Sequence, residues 1–229
     1  MSENIQLSLF DQPSLEPSSR SSLHLRDPKI PIPIGLYQTM EEIRQDCDQC
    51  QRCQLCHSRT QVVIGRGNLN ASIMIIGEAP GQQEDETGLP FVGKSGKLLE
   101  KILESVGLSS EKDVYICNVN KCRPPDNRTP NPDEVTACKP YLLEQVRLVN
   151  PKIILLTGAT AVKGILADKR PISKIRGQWL EWQNRLCMPI FHPSYLLRNP
   201  SKEEGSPKWL MWQDIQTVKD KFDELNQGS

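Results

Sequence analysis

The run Ile73-Met-Ile-Ile, broken at once by Gly77-Glu-Ala-Pro-Gly81, limits the possible folds of this chain more than any other stretch. Consecutive large apolar residues without alternation describe a short strand covered on both faces, as inside a parallel sheet. Gly77, Pro80 and Gly81 stop the strand and let backbone come close to a bound group. A polar stretch with Glu84, Asp85 and Glu86 reads as a loop. Gly88, Pro90 and Phe91 follow, and then a helix for which Ser95 is the expected cap. Strand, Gly/Pro turn, acidic loop, aromatic and helix start make up the ligand-binding end of an α/β sheet.

The pattern repeats along the chain. Further strands are expected over residues 113–119, 152–157 and 187–191, each a short apolar run. Helices are expected over 39–49, 95–106 and 160–166, with a last one opened by Ser206 and Pro207. Asn131, Pro132 and Glu134 form a capping box with proline at the first helical position. Strands alternating with helices give an α/β fold with a mainly parallel sheet.

Composition sets the class. With 37% hydrophobic and 24% charged residues, the chain reads as a soluble globular protein. No apolar run approaches the roughly 18 residues of a membrane span, and the N-terminus lacks a basic-then-apolar signal pattern. A cytoplasmic location is expected, with no membrane partner and a monomeric state. Net charge is zero, but it is unevenly placed: residues 163–185 carry six basic and two acidic side chains, and residues 203–225 three basic and six acidic. A basic face with acids kept elsewhere is compatible with a phosphate backbone.

Residues 1–35, rich in Ser and Pro, read as a disordered arm, and residues 36–229 as the folded domain. Gln6-Leu-Ser-Leu-Phe10 places three large apolar side chains in that polar arm, where a partner would have to cover them.

Eight cysteines in a chain of this type point to metal binding or core packing rather than disulfides. Cys53-x-x-Cys56 has ligand spacing, while Cys122 and Cys138 lie far along the chain. Cys47-x-x-Cys50 is a competing pair, and Cys117 and Cys187 fall inside strands as small apolar residues. Four thiolates suit either structural zinc or a [4Fe–4S] cluster, and spacing does not separate the two.

Four separated segments then fall into one order: Gly77-Glu-Ala-Pro-Gly81 with Gly88-Leu-Pro-Phe-Val-Gly93, Asn118-Val-Asn-Lys-Cys-Arg-Pro-Pro125 with Asn127-Arg-Thr-Pro130, the Cys53/Cys56 pair, and His192-Pro-Ser194. Together they resemble the family 4, iron–sulfur uracil-DNA glycosylases, over about residues 40–226. The resemblance implies a three-layer αβα fold around a central four-stranded, mainly parallel sheet. It implies a bacterial, nucleoid-associated base-excision repair enzyme that flips uracil out of DNA and hydrolyses its N-glycosidic bond. Alternatives are a glycosylase for another deaminated base and a non-catalytic iron–sulfur DNA-binding module. The implied cofactor is a structural [4Fe–4S] cluster on Cys53, Cys56, Cys122 and Cys138. The implied uracil pocket is Gly77, Glu78, Ala79, Phe91, Asn118 and His192, with Glu78, Asn118 and His192 catalytic.

These roles make chemical sense. A flipped base needs an aromatic face, which Phe91 offers, and an oriented amide, which Asn118 offers to O4 and N3–H of uracil. His192 can stabilise negative charge on O2 as the bond breaks, without being protonated. Glu78, or an acid of the Glu84–Asp85 stretch, can orient water. Asn120 is a departure from an apolar residue common in related sequences and is expected on the strand face of Asn118. Arg198, in an expected loop after Tyr195-Leu-Leu, can contact phosphate while its neighbours enter the duplex. Gln6, Leu7, Leu9 and Phe10 are similar to the short motif by which bacterial repair proteins bind the sliding clamp.

Overall fold

The computed structural model describes residues 22–227. The Gln6–Phe10 motif therefore lies outside the described residues. In chain order the elements are α1 (Met40–Gln49), β1 (Arg66–Gly67), β2 (Ile73–Gly77), α2 (Gln82–Thr87), α3 (Lys94–Glu104), β3 (Val114–Asn118), α4 (Pro132–Val149), β4 (Ile153–Thr157), α5 (Ala159–Leu166), α6 (Ile172–Ile175), β5 (Leu180–Trp182), β6 (Arg185–Ile190), α7 (Pro193–Arg198) and α8 (Pro207–Gln227).

The strands pair in the order β1-β3-β2-β4-β6-β5. The four expected strands form the parallel centre, β3-β2-β4-β6, and two short antiparallel strands, β1 and β5, are added at the edges. Side chains alternate across the pleat, so each strand feeds two cores. Ile73, Ile75, Val114, Ile116, Ile153 and Leu155 meet Leu99, Leu103, Met211 and Ile215 of α3 and α8 on one face. Met74, Ile76, Tyr115, Cys117, Ile154 and Leu156 meet Leu142, Val146, Val162 and Ile165 of α4 and α5 on the other. That division is the three-layer αβα fold. Each fully buried aliphatic side chain contributes about 1.5–3 kcal/mol by leaving water. Among the described residues no helix is long and apolar enough to cross a membrane.

Topology places the binding end. From β2 the chain crosses to β3 on one side and later returns past β2 to β4 on the other. The strand order thus reverses at β2, where α/β sheets open a crevice at their C-terminal ends. Gly77 and Asn118 are register partners there.

Several local expectations are corrected. Gly93, not Ser95, caps α3, and the acidic stretch forms the short helix α2 instead of a loop. Thr39 caps α1 by accepting from Glu42 N–H, and the box of Asn131 and Glu134 opens α4 as expected. Residues 22–35 differ most from the sequence reading. Leu25 and Ile32 are buried, and the guanidinium of Arg52, only 4% exposed, donates to the carbonyls of Asp27 (3.2 Å), Pro28 (3.1 Å) and Ile30 (2.9 Å) on this segment. Arg52 Nε also donates to Ala137 of α4 at 3.0 Å. One buried cation thus staples a segment that has no periodic pattern of its own, because its carbonyls satisfy the charge.

Candidate active site and cysteine cavity

The end of β2 needs Gly77. A side chain there would meet Asn118 Oδ1 at 2.3 Å and the ring of Phe91 at 2.7 Å. The missing Cβ is what lets an amide and an aromatic ring approach each other across the strand end. Asn118 is 2% exposed and lines the cavity, and among the described residues no hydrogen bond is made by its side-chain amide. A buried amide costs free energy unless it is paired, so this one is set for a ligand.

Phe91 stands in the left-handed region, with φ of 54°. A non-glycine residue held so costs about 1–3 kcal/mol, and persists only when its neighbours fix it. They do. Glu84 Oε1 accepts from the N–H groups of Val92 (3.0 Å) and Gly93 (2.8 Å), immediately after the strained residue. Arg66 Nε donates to the carbonyl of Pro90, just before it, at 2.9 Å, and Arg66 is itself ion-paired to Glu100. Hydrogen bonds to charged groups contribute about 1.5–3 kcal/mol each, enough to outweigh the strain. Asp85 turns away and accepts from Thr60 N–H at 2.9 Å. Asp85 is thus turned to backbone away from the cavity, while Glu84 lines the cavity with Oε1 engaged by backbone.

His192 caps α7. Its Nδ1 accepts from Ser194 N–H at 3.1 Å. A backbone N–H can only donate, so the neutral ring carries its proton on Nε2. Burial, helped by the nearby Arg198 cation and opposed by Glu84, holds the imidazole below its ordinary value at about 4. The ring lies 5.8 Å from that of Phe91, tilted by 31°. Glu78 leaves β2 directly after Gly77. Its carboxylate accepts from Thr160 Oγ1 at the start of α5, and its carbonyl from Asn120 N–H at 3.1 Å.

Glu78, Ala79, Phe91, Asn118 and His192 line one cavity of about 460 Å³, with Gly77 beneath. Lys94, Arg128 and Arg198 also border it, giving a cationic rim around two carboxylates. Arg198 ends a helix, not a loop, and Tyr195 (39%) and Leu197 (43%) stand exposed on that helix. Asn120 is not in the cavity. It is buried past the strand end, and its Nδ2 donates to the Glu134 carbonyl at 3.0 Å, tying the loop to α4. The sequence reading missed Arg66, Thr160, Ser194 and the structural use of Glu84. Arg66 and Thr160 act through contacts between distant segments, whereas Ser194 and Glu84 act locally through backbone groups that residue type alone does not mark.

A second cavity is lined by Cys47, Cys50, Cys53, Cys56, Cys122 and Cys138, with Arg59, Lys121 and Tyr141. All four cysteines implied by the resemblance are there, together with both extras. Arg59 Nη1 donates to Cys122 Sγ at 3.3 Å, and Lys121 N–H to Cys138 Sγ at 3.3 Å. Burial, then the neighbouring Cys122 and Cys50, pushes the Cys53 thiol up to about 12, against a lowering hydrogen bond from Leu55 N–H. Burial likewise raises Cys47, Cys122 and Cys138. Thiols so raised give up their protons to a metal group rather than to water. Among the described residues no three His, Cys, Asp or Glu side chains converge as ligands of one ion. Cys117 and Cys187 are buried in the sheet, as expected.

Comparison with known proteins gives the family. Residues 64–216 match the Uracil DNA glycosylase superfamily. The chain is 45% identical over 184 residues to the type-4 uracil-DNA glycosylase of Thermotoga maritima, covering 80% of this chain and 94% of that one. It is 41% identical to the type-4 enzyme of Sulfurisphaera tokodaii (71% and 78% covered) and 42% identical to that of Saccharolobus solfataricus (70% and 78%). Aligned with the Thermotoga protein over four fifths of its length, and with the superfamily from just before β1 into α8, this chain belongs to the type-4 uracil-DNA glycosylases.

Proposed function

We propose that the protein hydrolyses the N-glycosidic bond of deoxyuridine in DNA, holding the flipped uracil in the cavity at the end of β2. The unoccupied amide of Asn118, buried beside the Phe91 ring across Gly77, carries this reading. The ring supplies a stacking face worth about 1–3 kcal/mol for a base. The amide meets uracil O4 with its N–H and uracil N3–H with its carbonyl; cytosine reverses both groups and leaves the buried amide unsatisfied. As the bond breaks, charge collects on O2. His192 Nε2–H donates to it as a neutral imidazole, the tautomer that Ser194 N–H imposes. Glu78, oriented by Thr160, faces the cationic sugar and its incoming water.

The cysteine cavity suits an iron–sulfur cluster, because six thiols line it and each iron of a cubane takes one thiolate. When bound, the cluster supplies covalent cross-links between the segment after α1, the loop after β3, and α4. The surroundings favour Cys50 in place of Cys56 among its holders. Cys50 packs with Cys53, Cys122 and Cys138 in one apolar cluster, to which Cys56 does not belong. We therefore assign Cys50, Cys53, Cys122 and Cys138. Cys50→Ser is expected to lose the broad absorption near roughly 400 nm and Cys56→Ser to keep it; the reverse result restores the pair read from sequence.

The activity is tested by uracil release from a single-stranded oligonucleotide. Asn118→Ala and His192→Ala are each expected to lower it about 10²–10³-fold. Full activity in both variants would remove these roles, and inactivity of the wild type toward uracil would remove the substrate. The arm residues Gln6, Leu7, Leu9 and Phe10 are proposed to bind the sliding clamp and so raise the enzyme's effective concentration on DNA. A peptide of the arm should bind the clamp and lose binding with Leu9→Ala and Phe10→Ala together. An intact peptide that does not bind ends that part of the proposal.

A further inference from the structure

Lys121 is 1% exposed and lies between the two cavities. Its Nζ donates to the backbone carbonyl of Asn118, the residue whose side chain enters the uracil cavity. Its own backbone is fixed at the other cavity: N–H to Cys138 Sγ at 3.3 Å, and carbonyl accepting from Val63 N–H at 2.8 Å. Lys121 also lines the cysteine cavity directly and precedes Cys122.

A buried ammonium needs a counter-charge, since transferring an unpaired ion out of water costs several kcal/mol. Among the described residues no carboxylate forms an ion pair with Lys121. Lys121 lines the cysteine cavity and its backbone N–H reaches Cys138 Sγ, so the thiols of that cavity are the groups beside it that can carry the opposite charge once a cluster binds them. A cluster held by four thiolates is net negative, and it supplies the charge that this cation lacks.

We propose that Lys121 is a positioning residue that couples the cysteine centre to the uracil-reading amide. Its ammonium is balanced by the cluster thiolates, and spends its hydrogen bond on the Asn118 carbonyl. This rests on the cluster and glycosylase readings above. The cation fixes the end of β3, where a small rotation of the peptide would misalign the amide that reads O4 and N3–H. It also adds positive charge beside the cluster, which favours the reduced form. The two sites thus share one side chain, although neither touches the other's ligand.

The test uses the cluster-loaded full chain with Lys121→Met, which keeps the length and apolar stem, and Lys121→Arg, which keeps the charge. Three quantities are measured: absorption and iron content, the midpoint potential of the cluster, and uracil release under single-turnover conditions. In Lys121→Met the potential is expected to move to more negative values and release to fall about 10–100-fold, the range typical of removing a group that orients a metal site. In Lys121→Arg the potential returns toward that of the wild type. A Met variant with unchanged potential overturns the proposal, as does one with shifted potential and unchanged release, because the cation would then serve at most one site. Should the Met variant fail to hold the cluster, the Arg variant decides. Loading supports the need for charge, and failure to load shows that packing alone is required and overturns the coupling. Wild-type protein without uracil release would instead sink the glycosylase reading, while the potential would still report the lysine–cluster half.

Discussion

The two cavities are held in different ways. The cavity at the end of β2 is built by the polypeptide alone: a parallel sheet sets Gly77 beside Asn118, and Glu84 and Arg66 grip the chain on either side of a strained Phe91. The cysteine cavity lies outside the sheet, in a satellite core formed by Tyr37, Ile43, Leu55, Ile64 and Tyr141. Its segments are joined by arginines that donate to carbonyls and sulfur, with little regular structure between α1 and β1. Rigid elements supply precision where a base must be read. A bound inorganic group can instead supply order where few apolar residues are available.

Removing the cluster proposed for the cysteine cavity separates the two regions most sharply. After oxidation and chelation, residues 22–64 should become the first sites of proteolytic cleavage, while α3, α8 and the sheet stay protected. Loss of several kcal/mol is expected, in line with other structural metal sites. Uniform unfolding of the chain would show instead that the sheet depends on the cluster as well. A smaller effect, confined to the other region, is expected of Glu84→Gln. It weakens two charge-assisted bonds beside Phe91, by about 1–2 kcal/mol in total, and should slow uracil release about tenfold without touching the cluster absorption. A loss of absorption in that variant would mean that the regions are not independent in this respect.

The smallest effect near neutrality is that of pH on His192. Its folded value, about 4, is depressed below the ordinary value near 6.5. Its stabilising contribution is therefore complete above the ordinary value and disappears as pH falls through about 4. Uracil release should not fall on account of His192 between about pH 8 and about pH 5, and should fail below that, when protonated Nδ1 can no longer accept from Ser194. A decline governed by a group titrating near 6.5, absent from His192→Ala, would contradict the neutral donor.

Legibility followed the same division. The four central strands announce themselves as apolar runs, and the box of Asn131 and Glu134 marks its helix start by residue type alone. The pocket residues sit at strand ends, directly after such runs, so Gly77, Asn118 and His192 were readable. Helix α2 was not, because Gln82–Thr87 is polar on every side and buries only Asp85. Strands β1 and β5 are short and half-exposed, which erases their period. Residues 22–35 dock through carbonyls to Arg52, a contact that leaves no trace in hydrophobic spacing. Around Cys47, Cys50, Cys53 and Cys56 the ligand spacing repeats in three overlapping frames, so only three-dimensional neighbours can favour one of them.

His192 is both the donor aimed into the cavity and the residue from which α7 starts. The outward residues of that helix, Tyr195 and Leu197, are only three and five positions away, and Arg198 closes it. Pressure exerted by a nucleic acid on this short lever reaches the imidazole through a single turn of backbone. Grip on the polymer and aim of the proton are thus one mechanical variable.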